Sequence, residues 1–368
     1  MTEPSITDRP SGEPELLVVE DFVTSFNTRR GVVRAVDGVS FTLGSGQTLG
    51  IVGESGSGKT VLSRSIMRLT RGRNVHRSGQ VLLRGRDILQ LSRRDMREIW
   101  AVEMAMVFQD PMTTLHPLKR IGAQIVEPIR EHLDLSRSEA KARAIALLAS
   151  LRIPEPERRY EQYPHELSGG MRQRVVIGIA LACDPELLFA DEPTTALDVT
   201  VQAHILDLLA DHQAKRHMAM VIVSHDLGVV AGRTHDVIVM YAGQIVEAGS
   251  TSAVLRTPRM PYTEALLAST PRLDTPQEQR LPTIAGRPPN PLELPMGCRF
   301  APRCRYAQDR CLVEQPALRT DDDGRQFRCF YPVGTPSNQE ALEINRRRGN
   351  TATGRAMETV DVMKERVV

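Results

Sequence analysis

The chain of 368 residues has few lysines and no excess of charge of either sign. Lysine occurs at positions 59, 119, 141, 215 and 364, and every other basic residue is arginine. This bias is typical of coding-sequence composition, so we interpret the arginine-rich residues 64–97 as a solvated face rather than a membrane or nucleic-acid surface. The 47 basic and 45 acidic residues nearly balance and give no global field for a nucleic acid. We therefore expect no nucleic-acid partner.

Long apolar segments are also lacking. Charges, prolines or glycines interrupt every apolar stretch before it reaches the roughly 18 residues of a membrane-spanning helix. Residues 1–14 are rich in proline, serine and acidic residues and lack the apolar core of a secretory signal. The sequence therefore predicts a protein that stays in the cytosol with a disordered N-terminus, in a compartment where structural disulfides are rare.

Short apolar segments alternate with helical patterns along most of the chain. β-Formers at residues 16–23 and 32–43 predict antiparallel strands, and further strands are expected at residues 48–52, 80–83, 104–108, 187–190 and 219–223. Residues 110–182 show helical periodicity instead, with a capping box at Ser136 and Glu139. This order predicts an α/β fold with a mainly parallel sheet and an inserted helical subdomain.

A glycine-rich segment follows the strand expected at residues 48–52 and precedes a helix expected at residues 58–69. It matches the P-loop pattern G-x-x-x-x-G-K-[ST], whose backbone N–H groups and helix N-terminus bind phosphates. We predict that the lysine contacts the β- and γ-phosphates of ATP and that the threonine hydroxyl coordinates Mg²⁺. The P-loop consists of Gly53, Glu54, Ser55, Gly56, Ser57, Gly58, Lys59 and Thr60.

Polar side chains follow three of the other strands. Asp191 and Glu192 end the apolar run at residues 187–190, where Asp191 is expected to hold Mg²⁺ and Glu192 to polarise the attacking water. His225 follows residues 219–223 and is a candidate contact of the γ-phosphate. Gln109 follows residues 104–108 and is a candidate for sensing Mg²⁺ and the water. Without the P-loop, each of these features has an ordinary interpretation. An acidic pair is then a turn at the end of a strand, a lone histidine is a structural residue and a glutamine is a surface residue.

A second phosphate-facing element is expected at residues 167–173, which we call the signature segment. Ser168, Gly169 and Gly170 precede a helix predicted at residues 171–182, and Ser168 is placed to cap it. A helix N-terminus that points away from the P-loop can bind an anion supplied by another molecule. One chain then carries two half-sites, so we expect it to act as a dimer.

The chain resembles the ATP-binding subunits of ABC transporters in the order of its motifs. These are the P-loop, Gln109, the signature segment, the acidic pair, residues 196–198 and His225. The resemblance covers about residues 16–247 and implies two such domains closing head to tail, with Ser168, Gly169 and Gly170 of one completing the ATP site of the other. It also places Asp198 in the nucleotide-binding set. Phe26 is the nearest aromatic residue for stacking on adenine, and it could equally be part of the core.

Four of the five cysteines lie in a region rich in proline and arginine: Cys298, Cys304, Cys311 and Cys329. Four thiols in a cytosolic protein suggest a metal site rather than disulfides. The spacing lacks the close pairs usual for zinc, and by itself leaves an iron–sulfur cluster, zinc and unligated thiols open. Cys183 is interpreted as a core residue.

The region after residue 255 resembles the C-terminal extension of the oligopeptide and dipeptide importer subfamily. This resemblance implies a [4Fe–4S] cluster on the four cysteines, and it rests on residues 108–112, 115–117, 256–263, 281–286 and 297–300. The implied domains are an ABC ATPase with an antiparallel β subdomain at 15–255, a small irregular cysteine-containing domain at 256–333 and a mobile tail at 334–368.

The resemblance implies an ATPase that drives peptide import from the cytoplasmic face of the membrane. Its expected partners are a second ATPase subunit, commonly a paralogue, two membrane permeases and, indirectly, an extracytoplasmic binding protein. Three alternatives stay open. The chain could serve an importer of nickel or sugars of the same subfamily, act as a soluble ABC ATPase without a permease, or be an interaction module in which ATP is only regulatory.

Overall fold

The protein is described from a computed structural model that covers residues 15–194, 198–270 and 283–357. Its strands are β1 (Glu15–Thr28), β2 (Gly31–Gly44), β3 (Thr48–Val52), β4 (Val75–Leu83), β5 (Arg86–Asp87), β6 (Met104–Val107), β7 (Leu187–Asp191), β8 (Ala219–Ser224), β9 (Asp236–Tyr241), β10 (Gln244–Ser250), β11 (Arg319–Thr320) and β12 (Gln326–Phe327).

Helices connect and cover these strands. They are α1 (Lys59–Ile66), α2 (Arg93–Ile99), α3 (Pro111–Thr114), α4 (Ile121–His132), α5 (Arg137–Ser150), α6 (Pro156–Glu161), α7 (Gly169–Leu181), α8 (Val199–Arg216), α9 (Leu227–Val230), α10 (Thr251–Arg256), α11 (Pro261–Ala268), α12 (Arg310–Val313) and α13 (Pro336–Arg348). Short 3-10 turns occur at Pro164–Glu166 and Ala301–Arg303. Within the three described ranges, no helix is both long enough and apolar enough to cross a membrane.

The strands form two sheets. The smaller sheet is antiparallel, in the order β2-β1-β4-β5, and the larger one has the order β11-β12-β10-β9-β3-β8-β7-β6. In the larger sheet, β9, β3, β8, β7 and β6 run parallel, and every residue of these five strands is buried. Helices must therefore cover both faces, as in other parallel sheets. The predicted α/β class with an antiparallel subdomain is confirmed.

The inserted helices pack as one cluster between β6 and β7. α4 contacts α5, α6 and α7, and α7 also contacts β6. α5 begins at the predicted capping box, where the Ser136 hydroxyl accepts from the Glu139 N–H at 3.3 Å and the Glu139 carboxylate accepts from the Ser136 N–H at 2.8 Å. Apolar positions at the helical spacing, such as Ala144, Leu147 and Leu148, are buried in the core that this cluster shares with the sheet.

The C-terminal region, residues 256–357, continues the large sheet rather than forming a separate unit. Strand β12 pairs with β10, where Phe327 lies opposite Glu247. Tyr241 of β9, Tyr262 and Phe300 form one aromatic group with ring centroids 4.6–5.3 Å apart. The expected boundary at residue 255 is therefore crossed by both backbone pairing and a shared core.

The mobile tail expected from residue 334 is wrong for α13. Its buried face carries Asn338, Ala341 and Asn345, and the Asn345 side chain donates to the carbonyls of Arg305 and Ala307 at 2.9 and 3.1 Å. A helix that docks through asparagine hydrogen bonds has little apolar periodicity, which is why the sequence pattern did not indicate it. The predictions for residues 1–14 and 358–368 lie outside the described residues.

Candidate active site

The candidate site lies at one edge of the large sheet. Strands β3, β8, β7 and β6 are neighbours and parallel, so their carboxyl ends meet there. β3 leads into the P-loop, β8 into His225, β7 into Glu192 and β6 towards Gln109. The predicted site residues from these four strands are therefore brought together by topology, although 172 positions separate Gly53 from His225 in the sequence.

The P-loop approaches other backbone segments so closely that two of its positions require glycine. A Cβ atom on Gly53 would stand 2.3 Å from the Met240 carbonyl oxygen, and one on Gly58 would stand 2.3 Å from the Ala35 carbonyl oxygen. Both residues also have positive φ, of 150° and 105°. The loop is thus held against β9 and β2, and its last two residues, Lys59 and Thr60, begin α1.

Lys59 is the cation of this loop. Its Nζ donates to the backbone carbonyls of Gly53 at 2.8 Å and Glu54 at 3.0 Å, and the side chain is buried. Burial lowers the pKa of Lys59, although the carboxylates of Glu192, Asp191 and Glu54 oppose the shift. The ammonium group is therefore held inside the loop, where phosphate oxygens would replace the two carbonyls.

Thr60 and Asp191 form the candidate Mg²⁺ site. The Thr60 hydroxyl donates to Asp191 Oδ1 at 2.8 Å, and the Arg64 guanidinium lies 3.6 Å from Oδ2. Asp191 is fully buried, burial raises its pKa, and nothing in the described part of the chain donates a hydrogen bond to Oδ2. A hydroxyl and a buried carboxylate with an unused acceptor fit the oxygen ligands that Mg²⁺ prefers.

Glu192 lies one residue further and contacts both other candidates. Gln109 Nε2 donates to Glu192 Oε2 at 2.7 Å, and His225 Nδ1 lies 3.3 Å from Oε1. The Glu192 backbone has φ of 48°, the left-handed region, and its N–H donates to the Val223 carbonyl at 2.9 Å. Neighbouring strands thus fix the carboxylate from both sides, while the His225 side chain is half exposed.

Within the signature segment, α7 begins at Gly169, two residues before its predicted start. The Ser168 hydroxyl caps the helix by accepting from the Met171 N–H at 3.3 Å, and Ser168 and Gly169 are exposed. Asp198 has the same role on α8, where it accepts from the Val201 N–H at 2.9 Å. Residues 196 and 197 lie outside the described residues. Ser168, Gly169 and Asp198 are therefore exposed at the protein surface, and Gly170 is partly exposed.

A cavity of about 210 Å³ lies beside the P-loop. Residues 54–57 of the P-loop, residues 33–35 of β2 and the proline-rich residues 288–294 line it. Phe26 is not part of this lining, but it lies directly opposite Val33 in the β1–β2 pairing. Opposed residues of an antiparallel pair project from the same face, so Phe26 stands next to the cavity wall.

The four cysteines of the C-terminal region line one small pocket, together with Phe300, Tyr306 and Tyr331. Burial raises the pKa of Cys298 to about 11, and it raises the pKa of Cys304, Cys311 and Cys329 as well. Burial in this pocket therefore favours the neutral thiol form of these cysteines. Cys183 lies elsewhere, in the core under α7, as expected.

No three or more His, Cys, Asp or Glu side chains of the described ranges are arranged to hold a metal ion. The structure thus brings the four thiols into one pocket, as the resemblance implies, but it does not support a [4Fe–4S] ligand set.

Two residues of the C-terminal region contact the P-loop and were not predicted. Arg303 binds the Glu54 carboxylate through two hydrogen bonds, of 2.5 and 2.8 Å, and the Tyr262 hydroxyl accepts from the Glu54 N–H at 2.8 Å. Each pair is separated by more than 200 positions, so no local pattern indicates it. The sequence offers only their neighbours as a signal for these two residues. Arg303 directly precedes Cys304, and Tyr262 follows the proline that starts α11.

Two family profiles match the chain. The ABC transporter family matches residues 36–195, and the family described as the oligopeptide/dipeptide transporter, C-terminal region, matches residues 246–311. The second match begins within β10, where the C-terminal region joins the sheet.

Known proteins and solved structures agree with these matches. The dipeptide transport ATP-binding protein DppD of Escherichia coli is 46% identical over 318 residues, which cover 86% of this chain and 97% of that protein. The oligopeptide transport ATP-binding protein OppD of Bacillus subtilis is 48% identical over 304 residues, or 82% and 85% of the two chains.

The dimeric ATP-binding cassette MJ0796, bound to ADP and phosphate, superposes with a TM-score of 0.58 at 26% identity. The alignment covers 64% of this chain and 98% of the cassette. The fold, the family matches and the relatives lead to one assignment: the chain belongs to the ABC transporter ATP-binding proteins of the oligopeptide/dipeptide type, and it is an ABC ATPase.

Proposed function

We propose that this ABC ATPase energises the import of dipeptides or oligopeptides across the cytoplasmic membrane. The observation that carries the proposal is that the region matching the oligopeptide/dipeptide transporter family is built into the large sheet and contacts the P-loop. Relatives that are 46% and 48% identical over 86% and 82% of the chain are named as dipeptide and oligopeptide transport ATP-binding proteins. The working protein is a peripheral subunit on the cytoplasmic face.

Hydrolysis is assigned to the carboxylate of Glu192. As the oxygen of a water molecule bonds to the γ-phosphorus of ATP, Glu192 accepts a proton from that water and ADP leaves. Gln109 orients the carboxylate and the water, and His225 contacts the γ-phosphate from the next strand. Lys59 provides positive charge at the β- and γ-phosphates. Thr60 and Asp191, with Gln109 beside them, would hold Mg²⁺, which supplies charge neutralisation on the phosphates when bound.

The second half-site belongs to a partner ATPase. Ser168, Gly169 and Gly170 lie at the N-terminus of a 13-residue helix, and Ser168 and Gly169 are exposed. That end of α7 can bind the phosphates of an ATP molecule held by another ATPase subunit, with Asp198 at the same interface. The partner is proposed to be a paralogue, so the working pair is a heterodimer.

The adenine base is assigned to the cavity beside the P-loop. Its position next to residues 54–57 places it within reach of an ATP whose phosphates lie in the loop. Phe26 stands beside Val33 of the cavity wall and supplies the aromatic face on which a base can stack.

Two membrane permeases are the proposed partners of the loop after Gln109. Met112 and Leu118 are 64% and 81% exposed, although apolar residues of this size are normally buried. The loop also begins at Gln109, which contacts Glu192, so a permease bound here would be linked to the hydrolytic carboxylate. An extracytoplasmic binding protein then acts on the same complex from the opposite side.

The four-cysteine pocket is assigned separately to a [4Fe–4S] cluster. The support for this proposal is that the four thiols line one pocket, and that backbone N–H groups of Phe300 and Ala301 lie towards Cys298 and that of Tyr331 towards Cys329, where they would stabilise thiolates. The test is anaerobic purification followed by iron analysis and visible absorption. About four iron atoms per chain would support the assignment, and a colourless preparation or one containing zinc would overturn it.

The transport assignment is tested by purifying the full chain with the membrane proteins that accompany it. ATPase activity of this complex is measured with dipeptides, longer peptides, nickel salts and sugars, each with its binding protein. Stimulation by peptides supports the proposal, whereas stimulation only by nickel or a sugar assigns another cargo. A chain that purifies without membrane partners and hydrolyses ATP would be a soluble ABC ATPase. Negligible hydrolysis in every preparation would indicate a regulatory use of ATP.

A further inference from the structure

We propose that Arg303 is a positioning residue for ATP binding: it holds the Glu54 carboxylate and thereby the conformation of the P-loop. The inference rests on the ATPase activity of this site and does not depend on the cargo. It makes the C-terminal region a working part of the nucleotide site.

Arg303 uses its whole guanidinium group at this position. Two of its N–H groups bind the two oxygens of the Glu54 carboxylate. The other three donate to the Ala285 carbonyl at 2.9 Å, the Ile284 carbonyl at 3.3 Å and the Tyr241 hydroxyl at 3.3 Å. An arginine side chain has five N–H donors, so each one has an acceptor. Such complete use of a planar group fixes both its position and its orientation.

The pair is also protected from water. The Arg303 side chain is 3% exposed and the Glu54 side chain 25%. The guanidinium carbon lies 5.8 Å from the ring centre of Tyr241 and 5.9 Å from that of Phe300. Burial would lower the pKa of Arg303, but the hydrogen bonds that Arg303 donates to Glu54 and Tyr241 outweigh burial and raise the pKa. Removing one partner would therefore leave the other as a poorly solvated charge.

Glu54 transmits this anchoring to the phosphate site. Its backbone carbonyl accepts from Lys59 Nζ at 3.0 Å and from the Ser57 N–H at 3.1 Å. Its N–H is fixed by the Tyr262 hydroxyl, also from the C-terminal region. A change in the position of Glu54 therefore alters the position of the lysine and of the loop amides that bind phosphate.

A purely structural role for Arg303 predicts a different outcome. Arg303 would then stabilise the C-terminal region as a whole, and its replacement would lower the melting temperature without a selective effect on nucleotide affinity. The two roles are separated by measuring binding and stability on the same variants, and by asking whether Arg303 acts through Glu54.

The variants are R303K, E54Q and the double variant, made in the full chain and assayed in its purified complex. We expect R303K and E54Q each to raise the KM for ATP and the Kd for ADP by about 10- to 100-fold, with a much smaller change in kcat. The double variant should bind nucleotide no more weakly than the single variant with the lower affinity, because both changes break the same interaction. R310K is the matched control, since Arg310 binds Glu314 through two hydrogen bonds on the exposed surface of the same region.

Additive losses in the double variant, or a lower melting temperature with unchanged KM and Kd, would overturn the proposal. If R303K does not fold, E54Q alone decides, because the glutamine keeps one acceptor oxygen and Arg303 then retains four of its five acceptors; unchanged nucleotide affinity in E54Q would then overturn the proposal. ADP binding needs no cargo or permease, so a failure of the peptide-import assignment leaves this test unaffected.

Discussion

At the scale of single residues, Glu192 combines a contacted carboxylate with a backbone conformation that side chains disfavour. Its φ of 48° carries a cost of about 1–3 kcal/mol for a residue other than glycine. The N–H bond to Val223 and the contacts with Gln109 and His225 hold it there. Strain of this kind often accompanies a group that must be held in a fixed orientation for chemistry.

The first prediction concerns this carboxylate. Replacing Glu192 by glutamine should leave ATP affinity unchanged and lower kcat by about 10² to 10⁴, because the amide is not a general base. ATP binding and phosphate release are measured on the same preparation. The control is E127Q. It changes an exposed glutamate on α4 that forms an ion pair with Lys119. Hydrolysis by E192Q at the rate of the unmodified protein would contradict the assignment.

A second prediction distinguishes two reasons why a position requires glycine: close approach of another backbone segment, and a backbone conformation with positive φ. Gly58 and Gly85 both have positive φ, of 105° and 75°, but only Gly58 would place a Cβ atom against another backbone segment. Alanine at Gly85 should cost about 1–2 kcal/mol of unfolding free energy. Alanine at Gly58 should cost about 1–3 kcal/mol more and abolish ATP binding, because the loop must move from Ala35.

Denaturant unfolding and nucleotide titration check this pair. Equal losses of stability in the two variants, with ATP binding retained in G58A, would show that the P-loop does not need the close approach.

At the scale of elements, the sequence predicts four of the five parallel strands, β3, β6, β7 and β8, but misses β9, and it predicts the strands at the sheet edges poorly. Continuous apolar runs identified β3, β7 and β8 to within about one residue, because buried parallel strands have this composition. Strands β11 and β12 have two residues each, too few for any periodicity. Helix α13 is polar and ends in three arginines, a composition that also describes an unfolded tail.

A third prediction belongs to the junction of β10 and α11. Glu247 is fully buried in β10, and its two oxygens accept from the N–H groups of Arg259 and Met260 just before α11, while Arg325 lies nearby. Burial raises the pKa of Glu247. The folded protein thus keeps its proton at pH values where the unfolded chain has lost it. This residue should therefore make stability fall as pH rises from about 4.3 through the raised pKa.

Replacing Glu247 by glutamine should remove this part of the pH dependence, although the amide can accept from only one of the two N–H groups. The slope of unfolding free energy against pH is the measurement, with E98Q on the exposed side of α2 as control. An unchanged slope in E247Q would contradict the raised pKa.

At the scale of the whole molecule, the site residues form two groups. One group is brought together by the order of the strands in the sheet, and the other only by contacts between residues far apart in the sequence. The P-loop, Gln109, Asp191, Glu192 and His225 all follow neighbouring parallel strands, and each follows a recognisable apolar run, so the sequence could indicate them. The contact of Arg303 with Glu54 joins positions 249 apart and depends on how the C-terminal region packs. Periodicity and motif spacing carry no information about such packing.

The fourth prediction tests the exposed half-site. Replacing Ser168 by arginine should leave ATP binding to the same chain unchanged, but lower ATPase activity of the assembled complex by at least about 10²-fold, because the side chain blocks the end of α7. S136R is the matched control, since Ser136 also caps an exposed helix end, and each change should cost about 1 kcal/mol in capping. Equal activity of the two variants would show that the partner ATPase does not use this surface.

The contact between Glu54 and Arg303 also bears on how the protein is made. During synthesis the P-loop leaves the ribosome long before the residue that anchors it, because 249 positions separate the two partners. Until then, Glu54 lacks its counterion, and β10 lacks its neighbour β12 and lies at the edge of the unfinished sheet. A chain released early therefore carries every nucleotide motif but not the finished loop, so translation to residue 303 and beyond is the step that makes the ATP site complete.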